Sequence, residues 1–194
     1  MISVEKALKT ILIQFRPLGL EKVNIMEARG RVIGENIFST RNIPSADNSA
    51  MDGYAVRYTD TKGATKHNPL KLNIIADIPA GKFPRKTIKK GEAARIMTGA
   101  VIPKGADAVI RQEDTQKVGK TVFIYSGAQK KENIRFAGED VRKGDLVVKK
   151  GCVLRSAHIG MLAALGKSTV SVYQKPRVAI MSTGDELVDI KTKP

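Results

Sequence analysis

Four short blocks hold the side chains best suited to chemistry. The first is Asp47-Asn48-Ser49-Ala50-Met51-Asp52-Gly53-Tyr54-Ala55-Val56, a carboxylate beside a glycine among small residues, just ahead of an apolar run. Asp52-Gly53 reads as a turn dipeptide, because glycine takes positive φ without steric cost, and would hold Asp52 at a strand edge facing a cleft. The second, Ile96-Met97-Thr98-Gly99-Ala100, joins a hydroxyl to a glycine that lets backbone N–H groups come close to an anion, as in a small nest. The third, Gly138-Glu139-Asp140, is flanked by Arg135 and Arg142, which either bind ligand phosphate or balance the local acids. The fourth, Ser182-Thr183-Gly184-Asp185-Glu186, sets hydroxyls, a glycine and two carboxylates after a short apolar run. It suits a phosphate contact with Asp185 or Glu186 on a metal, and equally a helix N-cap at Thr183 or Asp185. Each block alone has an ordinary reading as a polar turn. Three acidic turns on one chain are what a site for a hard cation or a phosphate-bearing ligand needs.

The elements that must position these blocks are legible in outline. Ser3 is a good N-cap for a helix with Val4, Ala7, Leu8, Ile11, Leu12 and Phe15 on one face, ended by Pro17 and Gly19. From about Pro44 to Gly138 short apolar runs alternate with turn residues, the texture of an all-β module. Strands are expected at Tyr54–Arg57, Leu70–Ala76, Ala93–Met97, Ala108–Arg111 and Thr121–Tyr125. Asp145–Val148 and Val153-Leu154 also resemble strands. Ser156 is expected to cap a helix carrying Ile159, Leu162, Ala163 and Leu165, closed by Gly166. A strand is expected at Thr169–Tyr173, and another at Arg177–Met181, entering the fourth block as the first strand of a doubly wound sheet does. The expected fold is mixed α+β and β-rich, elongated and two-part, with an all-β module inserted in a mixed α/β unit. Residues 1–45 and 141–175 would form the discontinuous α/β domain, 46–140 the β-rich module, and 176–194 the start of a further α/β domain.

Composition excludes several classes. The chain has 194 residues, 34 basic against 19 acidic, a net charge of +15. Such a field attracts anions, and solvated surface lysines, including Lys86, Lys89, Lys90, Lys130 and Lys131, explain most of it. Tryptophan is absent and aromatics are 5%, which argues against a base-stacking nucleic-acid surface. One cysteine, Cys152, excludes an internal disulfide; with no membrane-length apolar run and no signal peptide, a cytoplasmic protein is expected. His67 and His158 lack zinc-ligand spacing, Cys152 shows no base partner in sequence, and there is no P-loop or dinucleotide fingerprint.

The blocks NSAMDGYAV, RIMTGA, GED and STGDEL, in this order, resemble the molybdopterin molybdenumtransferase family, the bacterial MoeA proteins and the E domain of eukaryotic gephyrin. The resemblance implies insertion of molybdate into adenylylated molybdopterin, with Mg²⁺ as cofactor and AMP released. It implies catalytic and metal-binding roles, direct or through water, for Asp52, Asp140 and Glu186. Substrate contacts would fall to Thr98, Gly99, Ser182, Thr183, Gly184 and Asp185. It implies a homodimer with each site shared between subunits, and pterin-binding and β domains beyond Pro194 that this chain lacks, so that the chain alone would be catalytically incomplete. The start of the truncated pterin-binding domain would be 176–194. The rival expectation is a basic, non-enzymatic module binding nucleic acid or proteins.

Overall fold

The computed structural model describes residues 2–192, and its backbone contacts divide the chain into two units, 1–37 with 148–194, and 38–147. Among the described residues there are two α-helices and twelve strands, a β-rich mixed fold.

In the first unit, helix α1 (Val4–Leu12) is capped by Ser3, whose hydroxyl accepts the Lys6 N–H. It ends a turn before Pro17: the N–H groups of Gln14 and Phe15 bond back to Ile11 and Leu12 three residues earlier, so Phe15 lies outside the helix. Strand β1 (Leu20–Asn24), not expected from its weakly alternating sequence, pairs antiparallel with β12 (Thr169–Tyr173), Val23 facing Val170. Ile33, Leu154, Leu162, Val170 and Val172 are buried here. Helix α2 (Ser156–Ala164) differs from expectation at its start. Arg155 is the N-cap, Ser156 is already helical, and the Arg155 N–H donates to His158 Nδ1 at 2.9 Å. The expected strand at Val153-Leu154 reduces to a single bridge, Val32 to Val153. The expected strand at 177–181 is absent: no chain pairs with it, and Ile180 is 91% exposed. An apolar strand needs neighbours for its hydrogen bonds and side chains, and none is present among the described residues.

Strands β2 (Ile37–Phe38) and β11 (Leu146–Val148), where the chain passes between units, pair with each other. The second unit holds β3 (Asn48–Ser49), β4 (Gly53–Val56), β5 (Leu70–Ile78), β6 (Glu92–Ile96), β7 (Ala108–Arg111), β8 (Thr115–Val118), β9 (Thr121–Ile124) and β10 (Ile134–Arg135). Six of them form one sheet in the order β7-β4-β6-β5-β9-β8, antiparallel except for β5 beside β6. Side chains alternate across a strand, so Tyr54 and Val56 join Leu72, Ala93, Ile110 and Ile124 on one face. Ala55 joins Ile78, Ala94, Ile96 and Val109 on the other. Both faces are covered, which is why all four residues of β4 are buried. Strand β8 escapes sequence reading because its TQKV segment carries little apolar signal; the Gly119-Lys120 turn, with Gly119 at φ 60°, folds it onto β9. No helix among the described residues is long and apolar enough to cross a membrane.

Candidate functional site

Three of the four blocks are stitched together in the second unit by backbone hydrogen bonds. The Ser49 N–H donates to Ala100 O (2.9 Å) and the Gly99 N–H to Ser49 O (2.8 Å), joining the first block to the second. On its other side Ser49 faces Ile134, and Asn48 faces Arg135, through the β3–β10 pair. Asp47 Oδ1 accepts the Ala137 N–H at 2.9 Å, which fixes the loop running into Gly138. That loop is held again at its far end, where the Gly138 N–H donates to Pro44 O and the Asp140 N–H to Ile43 O. The first and second blocks thus meet at the end of β6 and the start of β4, while the third is tied to the chain just ahead of the first.

Asp52 and Thr98 meet there directly. Both the Thr98 N–H and the Thr98 hydroxyl donate to Asp52 Oδ1, each at 2.7 Å. The hydroxyl, then the N–H, hold the Asp52 carboxyl below the usual carboxylate range, and the nearby Arg95 charge adds to this. Asp52 is therefore an anion at neutral pH, and among the described residues no donor reaches its Oδ2. The expected anion nest is corrected by this geometry. The Thr98 N–H serves Asp52, the Gly99 N–H serves Ser49 and the Ala100 N–H serves Met97 O, so the anion at this turn is the protein's own. Gly99 has a φ of 79°, a conformation that favours glycine.

Gly53 also differs from expectation. It does not have positive φ, and it opens β4 instead of a turn. A Cβ built on it would lie 1.9 Å from Ile110 O on β7, so glycine is there to let two backbones meet.

Asp140 and Glu139 both face Arg135: Nη2 donates to Asp140 Oδ2 at 2.7 Å and Nε to Glu139 Oε1 at 2.5 Å. The Phe136 N–H, then Arg135, lower the Glu139 pKa, and the two carboxylates raise that of Arg135. Arg135 thus balances the local acids, the second of its two expected roles. Ser182, Thr183, Gly184, Asp185 and Glu186 lie in the other unit, exposed, with Gly184 O accepting the Leu187 N–H and no helix following. The N-cap reading of Thr183 or Asp185 is therefore corrected. Among the described residues, no group of three or more His, Cys, Asp or Glu gathers where it could hold a metal ion.

Sequence reasoning missed two features. Asn48 Oδ1 is buried without a hydrogen-bond partner beside the Asp52 block, a position that sequence cannot reveal. Cys152 Sγ lies 3.8 Å from His158 Nε2, a pairing hidden by a six-residue spacing across a helix start.

The Asp52–Thr98 bonds carry a pH prediction. Asp52 has a folded pKa below its unfolded value, so its contribution is present above about pH 3.9 and lost as pH falls through the lower folded value. The Thr98 amide resonance is expected to titrate with a midpoint below about pH 3.9; a midpoint at or above it would mean the bonds are absent in solution.

Residues 2–166 match the model of the MoeA N-terminal region, domains I and II. The molybdopterin molybdenumtransferase of Staphylococcus epidermidis is 40% identical over 98% of this chain and 45% of its own length. That of a Nostoc species is 43% identical over 88% of this chain and 39% of its own. The chain thus spans about half the length of the curated relatives it matches. The crystal structure of the molybdopterin biosynthesis MoeA protein from Pyrococcus horikoshii superposes with a TM-score of 0.85 at 40% identity, covering 91% of this chain and 47% of that one. With its blocks folded together as described and the match running over most of its length, the chain belongs to the MoeA N-terminal region family.

Proposed function

We propose that this chain forms the Asp52-bearing wall of a molybdopterin molybdenumtransferase, which inserts molybdate into adenylylated molybdopterin in molybdenum cofactor biosynthesis. The phosphoanhydride bond is cleaved, AMP leaves, and molybdenum stays on the dithiolene. The observation that carries this reading is the meeting of the first two blocks in the Asp52–Thr98 pair, in a chain whose relatives are named for that activity. Asp52 presents its second carboxylate oxygen to the substrate, and Thr98 orients it through the first. Asp140, held by Arg135, lies on the same wall. Ser182, Thr183, Gly184, Asp185 and Glu186, in 176–194, begin the pterin-binding domain and belong to the facing wall. A homodimer closes the site, each subunit supplying one wall to the other's. The reaction is cytoplasmic, in keeping with a chain whose one cysteine makes no disulfide.

The donor set bears on Mg²⁺. Among the described residues Asp52 Oδ2 and Asp140 Oδ1 have no donor, whereas Asp140 Oδ2 and Glu139 Oε1 are engaged by Arg135. Few open carboxylate oxygens fit an ion that keeps its waters and arrives with substrate phosphates, and do not make a protein cage. Asp52 would be its ligand here, and when bound the ion neutralises diphosphate oxygens.

The test joins this chain to the C-terminal half of the Staphylococcus epidermidis relative and measures AMP release from adenylylated molybdopterin. Molybdate-dependent release is expected from the joined enzyme and none from the 194-residue chain alone. Release by the chain alone, or none by a folded joined enzyme, overturns the reading.

A further inference from the structure

Two buried serines of the second unit, Ser39 and Ser49, make the same set of bonds in two different places. Each accepts, on its own carbonyl, the N–H of a positive-φ glycine at 2.8 Å: Gly144 for Ser39 and Gly99 for Ser49. Each donates its N–H to the carbonyl of the residue after that glycine, Ser39 to Asp145 O at 2.8 Å and Ser49 to Ala100 O at 2.9 Å. Each also turns its hydroxyl onto the residue two places on. Ser39 Oγ donates to Arg41 O and Ser49 Oγ to Met51 O, both at 2.5 Å. The same hydroxyl oxygens accept the N–H groups of Arg41 and Met51, at 3.4 and 3.3 Å. The two sites differ in what these bonds hold.

We infer that Ser49 is a positioning residue for Asp52, its hydroxyl and backbone together fixing the carboxylate against Thr98. Met51 O and the Asp52 N–H belong to one peptide unit, and a peptide unit is planar. A hydroxyl that holds Met51 O therefore sets the plane from which the Asp52 Cα departs. Through its backbone Ser49 is bonded to Gly99 and Ala100, the two residues that follow Thr98. One buried residue thus grips both the peptide leading into Asp52 and the turn that carries Thr98. Those segments lie 46 residues apart, and their side chains meet at 2.7 Å.

The flanking chain is anchored elsewhere: the Ala50 N–H donates to Asn133 O and the Gln112 N–H to Asp52 O. Among the described residues, the backbone of Met51 between them bonds only to the Ser49 hydroxyl. At Ser39 the same bonds end on Arg41, and among the described residues no hydrogen bond joins Arg41 to Asp52 or Thr98.

The matched serines supply the test, in the 194-residue chain by NMR. Ser49→Ala and Ser39→Ala each remove one buried hydroxyl making the same two bonds, so both should lower Tm by a similar few degrees. Only Ser49→Ala should move the pH midpoint of the Thr98 amide, upward from the parent's toward about pH 3.9, as Asp52 loses its Thr98 donors. The Arg95 charge near Asp52 is the same in both variants. Ser49→Thr keeps the hydroxyl in a strand position and should hold the parental midpoint.

In the joined enzyme, Ser49→Ala should lower kcat about tenfold or more with KM within about twofold of the parent's, and Ser39→Ala should leave both as they are. The turnover arm rests on the proposed role of Asp52, and the midpoints do not. A joined enzyme inactive in every form would sink that role, while the midpoints still decide the positioning. A Ser49→Ala midpoint equal to the parent's, or an equal rise in Ser39→Ala, overturns the assignment.

Discussion

Gly53→Ala is expected to lower the stability of the second unit by about 3 kcal/mol or more, above the middle of the range for overpacked cores. The added Cβ would sit 1.9 Å from Ile110 O and 3.2 Å from Arg111 Cα, both backbone atoms of β7. A side chain can rotate away from a clash; a paired strand cannot move without breaking its ladder. Strand β4 lies between β6 and β7 with every residue buried, so displacing it disturbs both core faces together. In thermal unfolding followed by circular dichroism, the loss corresponds to a fall in Tm of roughly 6–12 °C for a chain of this size. Gly160→Ala is the control of opposite sign. Gly160 is inside α2 with nothing within 4 Å of its built Cβ, so alanine should stabilise by about 1 kcal/mol through helix propensity. Equal Tm values for the Gly53 variant and the parent would mean that β4 and β7 do not approach as described.

The second large effect concerns Asp52, read in the joined enzyme. Asp52→Asn keeps an oxygen that can accept both Thr98 bonds and removes the charge on the open side of the carboxylate. If Asp52 acts on the substrate, turnover falls about 100-fold or more, the scale for removing a group aimed at developing or phosphate charge. Asp52→Ala removes the charge and releases Thr98 as well, and should be no more active. Near-parental turnover in the Asn variant, with loss in the Ala variant, would instead make Asp52 a positioning residue for the Thr98 turn. The pair is exposed, so neither substitution should change Tm by more than a few degrees.

The parts legible in sequence were those set by local chemistry. Ser3 caps α1 because its hydroxyl meets the Lys6 N–H three residues on, a contact made within one turn. Apolar alternation at the start of the expected strand Leu70–Ala76 marks a strand whose two faces have different surroundings. The same logic failed at β8, where an edge strand gains its order from β9 and not from its own side chains. It failed at 177–181, where an apolar run has no partner strand among the described residues. Asp52, Thr98 and Asp140 were singled out through family resemblance; composition and spacing alone left each an ordinary turn.

By itself the sequence determined the family, the local caps and turns, and which residue types could bear chemistry, because these depend on neighbours within a few positions. The roles of those residues were decided by tertiary structure. It made the Thr98 turn a holder of Asp52 instead of a nest for a substrate anion, and Arg135 the partner of Glu139 and Asp140. It made Gly53 a point of backbone contact. A hydrogen-bond donor is satisfied by whichever acceptor the fold brings within about 3 Å, and strand pairing between distant segments chooses that acceptor.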